Sequence, residues 1–241
     1  MYKNKYLIII MILLFIFIIF LNSQINYNNF DFYVISIHNP DRIANIELQK
    51  NHNNLDIKIF DGVIGELINM DELILTNKLT IEYKKDTKQR KREIGCYLSH
   101  INLYAYIKND MNKKKYTVIF EDDFYIDSTN NNFINYINKI INDISTESFD
   151  IIYLSNLYLN HGLLLKNNVY YPNELIDLLC THAYIINNDH IDKFITQEFL
   201  LIDMPIDNKI NKLIKEHKLK AFTIYPSIIH QIGQSTITEH F

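Results

Sequence analysis

Tyr116-Thr117-Val118-Ile119-Phe120-Glu121-Asp122-Asp123 is the segment that indicates most clearly how this chain folds. Its first five residues are β-branched or aromatic, which is typical of a buried strand in an α/β sheet. Three consecutive carboxylates follow, and in open α/β sheets ligands bind just outside the carboxyl ends of the strands. Two interpretations stay open: a divalent cation that the acids share with substrate phosphates, or a solvated turn that is merely acidic.

Predicted strands and helices alternate along the rest of the chain. This alternation indicates an α/β fold with a Rossmann-like, mostly parallel sheet and helices on both faces. Besides the strand at 116–120, we predict strands over 32–37, 55–60, 150–154, 183–186 and 220–225, and helices over 41–50, 93–109, 131–143, 189–196 and 206–218.

The first 26 residues differ in character from the remainder. Lys3 and Lys5 precede an uninterrupted apolar run of sixteen residues, Tyr6 to Leu21. The run is short for a bilayer span, and a cleaved signal peptide is the alternative, but no small-residue cleavage site follows it. We therefore predict a short cytoplasmic tail and an uncleaved signal anchor over 1–26, with residues 27–241 forming one extracytoplasmic domain of a single-pass, type II membrane protein.

Charge and glycine content exclude several classes of protein. The chain has 24 Lys and Arg against 28 Asp and Glu, a net charge of −4, so it lacks the broad basic face of a nucleic-acid binder. The basic stretch from Lys84 to Arg92 is interpreted as a solvated loop or as the phosphate-attracting flank of a site. Only five glycines occur, and none forms a dinucleotide or Walker loop, so a cation would have to neutralise any bound diphosphate.

The two cysteines, Cys96 and Cys180, do not have the spacing of metal ligands. Both lie in apolar surroundings, which predicts buried thiols. A disulfide between them stays open, because it depends on the compartment in which the domain folds.

Several segments, in the right order from about 32 to 235, resemble glycosyltransferase family 25, the lipopolysaccharide and procollagen glycosyltransferase group. The most specific are a nine-residue block and the acidic triplet that follows some twenty residues later. The resembling segments are Val34-Ile35-Ser36-Ile37 through Pro40-Asp41-Arg42, Phe60-Asp61-Gly62-Val63-Ile64-Gly65, Arg92-Glu93-Ile94-Gly95-Cys96-Tyr97-Leu98-Ser99-His100, Phe120-Glu121-Asp122-Asp123, Thr181-His182-Ala183-Tyr184-Ile185-Ile186 and Pro205-Ile206-Asp207. Two departures, Arg92 in place of a usual glycine and His38-Asn39-Pro40 in place of a more arginine-rich opening, affect donor or acceptor contacts rather than the chemistry.

The resemblance implies a GT-A-type catalytic domain over 27–241 that is metal-dependent, with Mn²⁺ the expected ion. It implies transfer of a hexose, galactose or glucose, from a nucleotide-sugar donor, typically UDP-linked, with inversion at the sugar. The acceptor would be a hydroxyl of a glycan or of a collagen-like protein. The rival interpretations are a noncatalytic glycan- or nucleotide-binding relative and a metal-dependent phosphohydrolase or nuclease that uses the same carboxylates.

The resemblance also assigns roles to residues of the donor and metal sites. Glu121 and Asp123 are the expected metal ligands, since they point to the same side if the chain is extended. His230 is expected to complete the metal shell by analogy with other GT-A enzymes. The expected donor-binding residues are Arg42, Asp61, Ser99, His100 and Asp122.

Three of these residues also have simpler interpretations. Asp207 is the expected catalytic base for the acceptor hydroxyl, and its alternative role is that of a helix N-cap. His100 could instead order the fold through a hydrogen bond to a neighbouring strand. Arg42 could merely lie in a first helical turn.

Overall fold

A central eight-stranded sheet organises the protein. The computed structural model describes residues 11–13, 29–127, 132–155, 161–173 and 175–232. The strand order is β2-β1-β3-β8-β5-β9-β7-β6, and β4 and β10 form a separate two-stranded antiparallel sheet. The strands are β1 (Phe30–Ser36), β2 (Ile57–Asp61), β3 (Tyr116–Glu121), β4 (Phe124–Ile126), β5 (Ile151–Tyr153), β6 (His161–Lys166), β7 (Val169–Pro172), β8 (Ala183–Asn187), β9 (Ala221–Ile224) and β10 (Ile229–Gln231).

The sheet is mixed, although most of its strands point the same way. β1 pairs in parallel with β2 and with β3, and β5 pairs in parallel with β9. β8 runs antiparallel between β3 and β5, and β7 runs antiparallel between β9 and β6. Among the described strands of this sheet, β7 and β8 therefore oppose the common direction. The predicted α/β class with a mostly parallel sheet is confirmed, but the β6–β7 hairpin and the β4–β10 pair were not predicted.

Helices cover both faces of the sheet, as predicted. On one face Ile46 and Ile137 pack with Val34 and Phe120, and on the other Ile94 and its neighbours pack with Ile119 and Ile210. Consecutive residues of β3 thus enter opposite cores, as the alternation of side chains along a strand requires. The helices are α1 (Pro40–Asn53), α2 (Met70–Leu75), α3 (Lys88–Asn109), α4 (Phe133–Asp143), α5 (Gln197–Leu200) and α6 (Ile206–Lys215), with 3₁₀ turns at Gly65–Leu67 and Asn188–Ile195.

The interpretation of Lys84 to Arg92 as a solvated loop is wrong for its second half, which forms the first turn of α3. Cations are unfavourable at the N-terminal end of a helix dipole. The N-cap Thr87 and nearby acids compensate here. The pairs are Lys91–Asp86, Arg90–Glu93 and Arg92–Glu66, and Arg90 also lies over the ring of Tyr83.

Gly65 and Gly95 allow α3 to approach the turn that follows β2. A Cβ added at Gly65 would collide with the carbonyl of Lys91, and one added at Gly95 would lie 2.7 Å from the carbonyl oxygen of Val63. The close approach fixes the part of α3 that carries Cys96 and His100 against the sheet.

Gly65→Ala is expected to destabilise the protein by about 1–3 kcal/mol, the usual cost of forcing extra volume into a packed contact. Chemical denaturation with a circular dichroism readout would measure the change. Glu82→Ala is the control; its exposed side chain predicts a change within about 0.5 kcal/mol. Equal stabilities for Gly65→Ala and the unaltered protein would show that the turn can move away from α3.

No helix within the described ranges is both long enough and apolar enough to cross a membrane. Apart from residues 11–13, the predicted anchor over Tyr6–Leu21 lies outside the described residues. The sheet itself begins at Phe30, which pairs with Tyr116 at the start of β3. The chain therefore enters the sheet at the amino-terminal end of β3, and the acidic triplet follows at the carboxyl end.

Candidate active site

The acidic triplet lies at the carboxyl end of β3, but its three side chains do not point to one place. β3 ends at Glu121, Asp122 and Asp123 form a turn, and β4 begins at Phe124. The alternation that would put Glu121 and Asp123 on one side requires an extended chain, and the turn breaks it. Asp122 and Asp123 face α1 and β10, whereas Glu121 faces α3 and the start of β8.

Asp123 is a nearly buried carboxylate whose two oxygens have different surroundings. Its Oδ2 accepts a hydrogen bond of 2.8 Å from the Nε2 atom of Gln231 and lies 3.5 Å from Nη1 of Arg42. Its Oδ1 is buried and has no hydrogen-bond partner among the described residues. A buried carboxylate oxygen without a donor is costly, and a hard divalent cation is the partner that such an oxygen suits. The site therefore fits a metal ion.

Asp122 and Arg42 lie beside this carboxylate. Asp122 accepts a hydrogen bond of 2.7 Å from the hydroxyl of Ser36, at the end of β1, and lies 3.9 Å from Nε of Arg42. Burial raises the pKa of Asp122, and these two partners offset it only in part. Arg42 thus spans both aspartates from the first turns of α1.

Glu121 belongs to a different set of contacts. Its Oε1 accepts hydrogen bonds from the hydroxyl of Thr181 at 2.6 Å and from Nε2 of His100 at 3.3 Å, and the thiol of Cys96 lies 4.0 Å away. Burial raises the pKa of Glu121, but the hydrogen bonds and charge of His100, together with Thr181, outweigh it and leave the pKa lowered. Glu121 is therefore an ionised, fixed acceptor.

Asp207 lies in the first turn of α6, as predicted. Pro205 is the N-cap residue, so the alternative N-cap role for Asp207 is wrong. Its carboxylate accepts hydrogen bonds from the backbone N–H groups of Asn208, at 2.8 Å, and Cys180, at 3.4 Å. Burial, with the negative charge of Glu121 adding to it, raises the pKa of Asp207. A half-buried carboxylate with a raised pKa has the properties of a general base.

Comparison with protein families gives a match to glycosyltransferase family 25 (LPS biosynthesis protein) over residues 29–210. The matched range contains β1 through the first turns of α6, and with them the acidic triplet and Asp207. The chain belongs to glycosyltransferase family 25. The resemblance inferred from the sequence is thus confirmed, and this family 25 member is a glycosyltransferase.

Two solved structures are similar to this family 25 enzyme at low sequence identity. A mutant Drosophila β-1,4-galactosyltransferase 7 in complex with manganese, UDP-Gal and xylobiose shares 5% identity with a TM-score of 0.41, covering 86% of this chain and 71% of that chain. The 4-diphosphocytidyl-2C-methyl-D-erythritol synthase of Anaerococcus prevotii shares 11% identity with a TM-score of 0.32, covering 89% and 95%. No curated protein sequence gives a significant match.

His100 and Ser99 are placed inside the fold of the family 25 enzyme. His100 is fully buried, with Nδ1 2.7 Å from the hydroxyl of Tyr184, which in turn lies 2.6 Å from that of Tyr104. Ser99 accepts a hydrogen bond from the N–H of Val63 and donates one to the carbonyl of Gly95. These contacts agree with the simpler interpretation of His100, and a donor-binding role for either residue stays a prediction.

Cys96, His100 and Glu121 form a second group that could hold a metal ion, with ligand atoms all within 4.8 Å of one another. Within the described ranges no other three His, Cys, Asp or Glu side chains are grouped in this way, so the predicted set of Glu121, Asp123 and His230 is not gathered in this structure. Burial and the charges of Glu121 and Asp207 raise the pKa of the Cys96 thiol. A neutral thiol is a poor ligand for the hard cations that accompany diphosphates, so Asp123 is the better metal site.

The remaining predicted residues lie at the rim of the site. Asp61, at the end of β2, pairs with His38 at 2.7 Å, and both side chains are exposed. His230, on β10, is exposed and pairs in register with Tyr125. The adjacent Gln231, not His230, contacts Asp123. Cys96 and Cys180 are free thiols and only half-buried, so the disulfide left open by the sequence is not present.

Sequence reasoning missed five residues of the site, namely Ser36, Ser155, Thr181, His182 and Gln231. Thr181 and His182 lie in a segment that resembles the family, which was a usable signal. His182 is buried with its Nε2 against the hydroxyl of Ser155, and burial lowers its pKa. Ser155 and Gln231 are polar residues at strand ends, and nothing in their local sequence indicates what they contact.

Proposed function

We propose that the protein is a Mn²⁺-dependent hexosyltransferase that moves galactose or glucose from a UDP-linked donor, with inversion, to a hydroxyl of a glycan or collagen-like protein. Asp123 carries the proposal. Its Oδ1 is buried without a partner among the described residues at the carboxyl end of β3, beside an arginine, which is where a cation bound to a diphosphate would be needed.

The donor half of the site is formed by α1, β1, β2 and β10. Asp123 would hold the metal. His230 remains a proposed ligand only by analogy with other GT-A enzymes, since its neighbour Gln231 is the β10 residue that contacts Asp123. Arg42, whose contacts with the aspartates are long, would bind the diphosphate. Exposed Asp61, with His38, would accept hydrogen bonds from the ribose hydroxyls.

When bound, the metal would act as a Lewis acid that stabilises negative charge on the departing UDP. Arg42 would add positive charge at the same diphosphate without moving, because it already lies over the turn. Preorganised charge of this kind is usually the largest contribution to catalysis of such a step.

The acceptor half is formed by β8 and α6. Asp207 would take the proton of the acceptor hydroxyl as that oxygen attacks the sugar carbon from the face opposite UDP. The N–H of Cys180 would hold the carboxylate in one orientation during the transfer. The absence of a basic partner at Asp207 among its hydrogen-bond contacts in the described residues keeps its proton affinity high.

The test is a transfer assay with the 241-residue chain, Mn²⁺ and either UDP-galactose or UDP-glucose, in which UDP release is followed with and without a panel of glycan and collagen-like peptide acceptors. Acceptor-dependent UDP release that requires Mn²⁺ is the expected result. Binding of UDP without transfer to any acceptor would favour the noncatalytic relative, and acceptor-independent phosphate release would favour the phosphohydrolase.

We also propose, from the sequence alone, that residues 1–26 anchor the enzyme as a type II membrane protein with its catalytic domain on the extracytoplasmic side. Protease treatment of sealed microsomes would test this topology: protection of residues 27–241 until detergent is added is expected.

A further inference from the structure

The acidic triplet is divided between the two halves of the site. The groups bonded to Asp123 are Arg42, Gln231 and the backbone of Ile232. None of them contacts Glu121, whose partners lie on α3 and at the start of β8. Two carboxylates that share a metal ion would be expected to converge, and these two diverge.

Glu121 makes two hydrogen bonds to Thr181 and His182, the two residues that precede β8. Its side chain accepts the hydrogen bond from the Thr181 hydroxyl, and its backbone N–H donates to the carbonyl of His182 at 3.0 Å. Nε2 of His100 lies within hydrogen-bond distance of the same Glu121 oxygen, Oε1, and the ring of His100 is itself fixed by Tyr184. The segment is thus tied to the end of β3 by a buried set of polar contacts.

Cys180, the residue before Thr181, has an unfavourable backbone conformation. Cys180 has φ 94°, in the left-handed region that residues with a side chain rarely adopt. Such a conformation persists only when the surrounding structure holds it in place. In this conformation the N–H of Cys180 donates to Oδ2 of Asp207. Glu121 contacts the next two residues, Thr181 and His182, and is thus in a position to stabilise this conformation.

We propose that Glu121 is a positioning residue for Asp207, acting through Thr181 and Cys180, and is not a ligand of the metal ion. The inference rests on the proposed function, because it takes Asp207 as the base. The three acids then have separate roles, since Asp122 and Asp123 serve the donor and Glu121 serves the acceptor side.

The experiment compares Glu121→Ala, Thr181→Val and their combination in the 241-residue chain. Each single variant is expected to lower kcat by about ten- to a hundred-fold, since a shift of about 1 Å in a reacting group costs up to about a hundred-fold. The Kd for UDP in the presence of Mn²⁺ should stay within about two-fold. The double variant should be no slower than Glu121→Ala, because both changes release the same segment.

Glu121→Gln separates the two roles further. Its amide oxygen can still accept the Thr181 hydrogen bond, so it should recover most of the kcat lost in Glu121→Ala. If Glu121 were a metal ligand, the lost negative charge would instead weaken Mn²⁺-dependent binding of UDP. Glu216→Ala, at the far end of α6, is the control and should change neither quantity. Should Glu121→Ala fail to fold, Thr181→Val, which has nearly the same volume as the natural residue, provides the same comparison.

Loss of Mn²⁺-dependent UDP binding in Glu121→Ala, as large as in Asp123→Asn, would overturn the inference, and so would an unchanged kcat in Thr181→Val. If the unaltered protein binds UDP with Mn²⁺ but transfers no sugar, the proposed function is wrong while the UDP affinities still decide whether Glu121 is a ligand.

Discussion

Asp123→Asn is expected to abolish Mn²⁺-dependent binding of UDP and to lower the rate of sugar transfer by about a thousand-fold. Asparagine keeps the size of the side chain and can keep the contact with Gln231, but it removes the negative charge that Oδ1 would offer to the cation. Metal ions supply several kcal/mol of stabilisation to developing charge, and about 4 kcal/mol corresponds to a thousand-fold in rate. Calorimetric titration of UDP with and without Mn²⁺ measures the binding, and UDP release measures the rate.

Asp71→Asn is the matched control for this substitution. Asp71 is an exposed carboxylate that pairs with Lys84, so its loss should leave both the titration and the rate unchanged. If Asp123→Asn still binds UDP in an Mn²⁺-dependent way, the metal must bind elsewhere. The alternative site among the described residues is the group of Cys96, His100 and Glu121.

Asp207→Asn is expected to lower kcat by about a hundred- to ten-thousand-fold, the usual contribution of a general base, while the Kd for UDP with Mn²⁺ stays unchanged. The N–H groups of Asn208 and Cys180 donate to different oxygens of Asp207, so the single amide oxygen of asparagine can keep only one of these bonds. Retention of the shorter bond, from Asn208, should keep the first turn of α6 in place. Full activity of Asp207→Asn would exclude the residue as the base.

The same residue predicts the pH dependence of turnover. A base acts only when deprotonated, so activity should fall as the pH drops through the pKa of Asp207. Because burial and the charge of Glu121 raise that pKa, the acidic limb of the kcat profile should lie above the ordinary range of an aspartate. The limb should be missing from the residual activity of Asp207→Asn. Asp192→Asn, which alters an exposed carboxylate paired with Lys108, should retain the profile of the unaltered protein.

Local pattern was enough to predict the elements that carry the chemistry. The continuous apolar run of β3 is a strong signal, the predicted stripe on α3 includes Ile94, Tyr97 and Ile101, which are buried, and Pro205 with Asp207 marks the start of α6. They place the acidic triplet at the carboxyl end of β3 and Asp207 in the first turn of α6. The family resemblance added the class of reaction, which periodicity alone does not contain.

Long-range pairing could not be predicted in the same way. Gln231 reaches Asp123 only because β10 pairs with β4, two three-residue strands about a hundred residues apart in sequence. The divergence of Glu121 and Asp123 depends on where β3 ends, and strand boundaries are poorly specified by sequence. The first turn of α3 was missed for a related reason: its cations are acceptable only because acids, some distant in sequence, are paired with them.

The position of Phe30 at the start of β1 determines which side of the enzyme faces a support to which its N-terminal segment is attached. Phe30 and Tyr116 lie side by side at the amino-terminal ends of β1 and β3, and five residues of strand, about 17 Å, separate Tyr116 from Glu121. An attachment through the residues before Phe30 therefore holds the protein at the end of β3 that lies away from the acidic triplet. This applies equally to a bilayer, a bead or a sensor chip. A large acceptor that binds at the carboxyl ends of the strands would then not compete with the support for space.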